Sequence, residues 1–104
     1  MDAILECMPM TSYGGEEKCL AIQAITFPWT GSFDDAEKAL SGADEALAKS
    51  HEAHSRLLNY DAQNGDLQVS IFMVHAADHL SAAEIINVLA REFILLHKEL
   101  KEHV

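Results

Sequence analysis

The sequence predicts an all-α fold, an antiparallel up-down-up bundle of three long helices, on three observations. Apolar residues recur at steps of three and four through most of the chain, two breaks rich in Gly, Pro and Asn divide that pattern, and the alternation that marks strands is almost absent. The 104 residues read as a single domain, 1–104, since domains of about 100 to 150 residues are the commonest.

The first helix is expected from Asp2 to Thr26. Leu5, Met8, Ser12, Gly15, Cys19 and Ile22 keep one face, although Pro9, Gly14 and Gly15 weaken it and place a kink or a start near Pro9. Phe27, Pro28, Trp29, Thr30 and Gly31 then break the pattern. Ser32 and Asp35 resemble a capping box with Asp replacing Glu, so the second helix should start at Phe33. Phe33, Ala36, Leu40, Ala43, Leu47, Ser50, His54 and Leu57 form its seam, and Asn64 with Gly65 ends it, because both tolerate the left-handed conformation.

The third helix, Leu67 to about His103, has the cleanest pattern. Phe72, His75, His79, Ala82, Ile86, Leu89, Phe93, Leu96 and Leu100 alternate steps of three and four without a miss. A neighbouring stripe of Ile71, Val74, Asp78, Ser81, Ile85, Val88 and Leu95 widens the apolar surface. At about 1.5 Å per residue the helix would run to roughly 55 Å, too long and too broad for two shorter partners to cover. Exposed stripes of that size mark interfaces, so the sequence predicts a homo-oligomer without specifying its number of chains.

Composition removes several function classes. A net charge of −10, with seven Lys and Arg against seventeen Asp and Glu, offers no basic stripe to a nucleic-acid backbone or an anionic membrane. Cys7 and Cys19 suit neither a disulfide framework nor a zinc pattern, which points to a reduced, cytoplasmic setting. The chain shows no basic-then-apolar leader and no stretch approaching the ~20 apolar residues of a membrane span.

The run VHAADHL, residues 74–80, places His75, Asp78 and His79 within reach of one another inside the apolar seam. A buried carboxylate is costly unless it gains a cation or several donors. Three readings fit. The cluster could be a polar layer that sets register, or half of a metal site completed by His51, His54 or another chain; HExxH is absent because Ala76 replaces its glutamate. It could also hold a histidine that carries a phosphoryl group, since neutral imidazole is available near pH 7 and is both a good nucleophile and a good leaving group.

The stretches MVHAADHL, GSFDDAEKAL, AKSHEAH and the YGG before the second half of helix one together resemble the IIA component of the lactose/cellobiose phosphotransferase system. The likeness runs from about Tyr13 to Lys101. It implies a cytoplasmic homotrimer of three-helix subunits forming a nine-helix bundle, a phosphotransferase that takes phosphate from the histidine of HPr and passes it to a cysteine of the IIB component during lactose- or cellobiose-type sugar uptake.

On that resemblance His75, the first residue of HxxDH, is the phosphorylated nucleophile. Asp78 is the metal ligand, which with its two symmetry copies holds a divalent cation, commonly magnesium, on the trimer axis. His79 is a candidate stabiliser of the phosphoryl group or a satisfied interior histidine, and His51 is expected to approach the site across the bundle. The chain departs from the family at Ala77, where many members have Gln, around His54 and Ser55, and at Pro9. The alternative reading is a non-catalytic or regulatory helical module that binds a partner or a metal.

Overall fold

The computed structural model describes residues 2–103; Met1 and Val104, the ends of the expected domain, lie outside the described residues. Three helices, α1 (Ala3–Thr26), α2 (Phe33–Asn64) and α3 (Ile71–Glu102), form an elongated bundle of 58 × 19 × 17 Å, with a 3₁₀ turn at Phe27–Thr30. Cross-links near both ends show the up-down-up order: Glu6 accepts from Arg56 at 2.7 Å and Glu37 from Lys98 at 2.8 Å. α1 packs along both other helices, while α2 and α3 touch each other less.

α1 runs unbroken through Pro9, so the expected start there does not occur. Its N-cap is Asp2, whose carboxylate accepts from the amides of Ile4 and Leu5. Gly31 and Gly65 both adopt positive φ, 77° and 66°, and turn the chain where the sequence placed its breaks. Two local expectations fail. Ser32 makes no capping hydrogen bond, and its hydroxyl pairs with that of Thr30 at 3.1 Å. α3 begins at Ile71, not Leu67, because Ser70 caps it by accepting from the amide of Met73, and Leu67 packs from the connector onto the core. At about 1.5 Å per residue α3 is therefore nearer 48 Å than 55 Å.

The largest difference lies in which stripe is buried. Along α2 the expected seam is the core: Ala36, Leu40, Ala43, Ser50 and Leu57 are buried. Along α1 and α3 it is the adjacent stripe that packs inside the subunit, Cys7, Met10, Gly14, Glu17, Ala21 and Ala24 against Ala76, Leu80, Ala83, Asn87, Ala90 and Ile94. Ten of the sixteen buried apolar residues among those described are alanine, so the helices approach closely and bury little surface per residue. The larger side chains Leu5, Met8, Phe72, Ile85, Val88, Leu89, Phe93 and Leu96 face outward. This is the unpaired apolar face that the sequence pattern implied.

Two apolar clusters, Cys7, Met10, Ala53, Leu57, Ala76 and Leu80 toward one end and Ala21, Ala24, Ala36, Leu40, Ala43, Ala90 and Ile94 toward the other, flank a polar layer. There Ser50 donates to the Met10 carbonyl at 2.9 Å, and Asp44 accepts from Asn87 at 3.1 Å and from Arg91. Glu17 is fully buried, and neither carboxyl oxygen has a hydrogen-bond partner. Burial pushes its pKa up to about 7; Asn87, whose amide is committed to Asp44, and Lys18 draw it back, while Asp44 adds a further upward push.

The folded-state pKa of Glu17 lies above its unfolded value of 4.5, so the fold favours the protonated carboxyl. The stability this group confers is complete below pH 4.5 and is lost as pH rises through about 7. Glu17→Gln is expected to remove that decline and to stabilise the protein above about pH 8 by about 2 kcal/mol. Urea denaturation at fixed protein concentration across this range checks it; parallel profiles for the two proteins would contradict the assignment.

Candidate functional site

The cap at Ser70 sets the helical phase that places His75 in the second turn of α3, with Asp78 and His79 about one turn later. Ala76 and Leu80 hold this part of α3 against the core and so turn His75 and Asp78 outward, where both are exposed, while His79 is half-buried against α1. His75 borders two shallow apolar depressions. One, about 420 Å³, lies along the outer face of α3 with Ile71, Phe72, Val74 and Asp78. The other, about 400 Å³, lies between α1 and α3 and includes Met8, Thr11, Ser12 and Phe72. An outside group can therefore approach His75 over apolar walls that carry two hydroxyls.

The rings of His75 and His79 meet edge to face, with centroids 4.5 Å apart. On the other side of His79, the ammonium of Lys18 lies 2.8 Å from Nδ1. An ammonium has no acceptor capacity, so this contact requires a lone pair on Nδ1 and leaves the ring proton on Nε2. Burial lowers the pKa of His79, Lys18 and His75 lower it further, and Asp78 opposes them. These contacts favour a neutral His79 ring with its proton on Nε2, beside His75.

Lys18 reaches this position because α1 comes close at Gly14, one turn earlier on the same side of the helix. A Cβ at Gly14 would lie 3.4 Å from the His79 carbonyl oxygen and 3.5 Å from its Cβ. The sequence reading singled out neither Lys18 nor Thr11. A lysine among only seven basic residues in an acidic chain was the available signal, yet no spacing rule links residue 18 to residue 79.

The structure brings His75, Asp78 and His79 together but not His51. That residue pairs with Glu84 at 3.0 Å, and Glu84 stands nine residues beyond His75, half a turn round α3 and roughly 13 Å along its axis. His54 lines a separate groove of about 260 Å³ between α2 and the start of α3, together with Leu57, Leu67, Met73 and Ala77. Among the described residues no three His, Cys, Asp or Glu side chains converge on a point that could hold a metal. Asp78 brings a single carboxylate to the outer face.

Residues 5–98 match the family model described as PTS system, Lactose/Cellobiose specific IIA subunit. The PTS system lactose-specific EIIA component of Streptococcus mutans is 28% identical over 97 residues, 93% of each chain. The crystal structure of the PTS cellobiose-specific enzyme IIA from Bacillus anthracis superposes with a TM-score of 0.92 at 28% identity, covering 98% of this chain and 94% of that one. One chain of the solution structures of the IIA(Chitobiose)–HPr complex of the N,N'-diacetylchitobiose branch of the Escherichia coli phosphotransferase system superposes with a TM-score of 0.83 at 29% identity, covering 97% of this chain and 98% of that one.

The close approach at Gly14 has a graded consequence. Gly14→Ala fits at ordinary contact distance and is expected to be neutral or stabilising by up to about 1 kcal/mol through helix propensity. Gly14→Leu would force α1 away from α3 and cost about 1 to 3 kcal/mol. Thermal melts of the two variants check this, and equal midpoints would show that the helices are not held this close.

Proposed function

The chain belongs to the lactose/cellobiose-specific IIA family of the phosphotransferase system, and on that premise we propose that it relays a phosphoryl group on His75. The observation that carries this reading is an exposed imidazole at the junction of two apolar depressions, beside a neutral histidine donor and a lysine. In the first half-reaction a ring nitrogen of neutral His75 forms the N–P bond while the N–P bond to the histidine of HPr breaks. The departing imidazole takes up a proton equivalent to the one His75 gives up. In the second, a cysteine thiolate of the IIB component forms the S–P bond as the bond to His75 breaks, and the imidazole regains its proton.

The structurally similar protein solved in complex with HPr supports HPr as the donor. The acidic helices favour partners with basic rims, and the apolar depressions around His75 favour partners that present an apolar surface around their own reacting group. Similar proteins are named for lactose, cellobiose, galactose and N,N'-diacetylchitobiose, and a cellobiose-specific and a galactose-specific relative are equally similar at 40% identity, so the likeness selects no sugar. No described helix is long and apolar enough to cross a membrane, which suits a cytoplasmic relay.

The working form is a homotrimer, a nine-helix bundle in which the outward apolar faces of α1 and α3 cover one another. Large side chains left exposed along both helices support this, since the alanine-rich subunit core buries little apolar area by itself. Asp78 lies on that outward face beside Ile71 and Val74. Three copies of its carboxylate would suit a hard divalent cation such as Mg²⁺, whose charge offsets their mutual repulsion.

Incubation with enzyme I, HPr and phosphoenolpyruvate is expected to leave acid-labile, base-stable phosphate on His75, absent from His75→Gln. Unlabelled wild-type protein would end the relay reading and favour a non-catalytic module. Asp78→Leu should bind Mg²⁺ more weakly and yet give a trimer more stable by roughly 1 to 4 kcal/mol without metal, because a ring of like charges is removed. Melts with and without Mg²⁺ at one protein concentration test this; equal metal dependence in both proteins would refute it.

A further inference from the structure

Lys18 is the residue whose placement most needs explaining. It is one of seven basic residues in a chain of seventeen acidic ones, and its ammonium is directed at an imidazole nitrogen 2.8 Å away instead of at a carboxylate. Lys98 of the same chain pairs with a carboxylate, that of Glu37. The contact is a charge-assisted hydrogen bond to a ring nitrogen, and it fixes which nitrogen of the ring keeps its lone pair.

Three features combine there. The close approach of α1 to the α3 backbone at Gly14 sets the height at which Lys18 meets α3. The ammonium at Nδ1 excludes the tautomer with a proton on that nitrogen. The edge-to-face contact then holds the same ring against His75.

We propose that Lys18 is a positioning residue for phosphoryl transfer: by donating to His79 Nδ1 it locks His79 in the Nε2–H tautomer, so that the ring beside His75 offers a fixed N–H donor to the transferring phosphoryl group. The inference rests on the relay reading above. No bond is made or broken at Lys18 or His79. Their contribution is a donor already in the required tautomer when the phosphoryl oxygens arrive, so no tautomer exchange precedes the step. Partners that fix the tautomer of metal-bound histidines commonly change affinity or activity by about 10- to 100-fold, and an effect toward the lower end of that range is expected for His79.

The test uses the full chain with ¹⁵N-labelled histidine. In the unphosphorylated protein, ring nitrogen shifts should report His79 as almost wholly Nε2–H, and Lys18→Met should yield a mixture of tautomers. Single-turnover transfer from phosphorylated HPr should slow about tenfold in Lys18→Met and largely recover in Lys18→Arg, whose guanidinium still donates. In a His79→Gln background the Lys18→Met change should add little further loss. An unchanged tautomer, an unchanged transfer rate, or a full additional loss in the His79→Gln background would each overturn the proposal. Absence of phosphate on His75 in the wild-type protein would overturn the relay reading and the proposal with it, whereas a failure of Lys18 alone would leave His75 labelled.

Discussion

The close spacing of the three helices is the constraint on which the rest of this protein depends. Alanines at 21, 24, 36, 43, 53, 76, 83 and 90 fill the interior, and Gly14 removes even a methyl group where α1 crosses His79. Helices that approach this closely leave room between them for only a few larger side chains, Met10, Leu40, Leu57, Leu80 and Ile94. Most of the large side chains of α1 and α3 are therefore turned outward, and His75 and Asp78 turn outward with them. One packing choice thus produces a thin, elongated subunit, an unsatisfied apolar face and an accessible His75.

The same choice governs the electrostatics. Close helices bury Glu17 without a partner and push its pKa to about 7, while Asn87 and Arg91 are taken up by Asp44. At the next residue of α1, about 100° round the helix, Lys18 is brought onto His79. A residue pair of adjacent sequence number, 17 and 18, thereby points one charge inward at cost and the other toward the functional face. We have no physical account of why a carboxyl occupies position 17, since an apolar residue there would remove the cost.

Around His75 a helical frame held by the core adjoins an open surface. The imidazole and its two neighbours stand on helices whose backbones are held by the core, so the donor geometry is preorganised. The apolar depressions beside the ring are shallow and open, which would suit the proposed relay between two protein partners. Ala77 faces the groove shared with His54 and Leu57, on the other side of α3 from the contact of His79 with α1.

Helix number, the breaks at Gly31 and Gly65, the grouping of His75, Asp78 and His79, and the presence of an uncovered apolar stripe were all legible in the sequence. Each follows from local spacing or from a backbone conformation that few residues accept. Which stripe of α1 and α3 faces the partner helices was not, because Leu and Phe outrank Ala in any reading of hydrophobic periodicity, and only the distance between helices favours the smaller residue. The start of α3 at Ile71, the pairing of His51 with Glu84 and the contact of Lys18 with His79 were likewise decided by the tertiary structure. All three depend on how far one helix slides along another, and that offset is set by the sum of many weak contacts between residues distant in the chain.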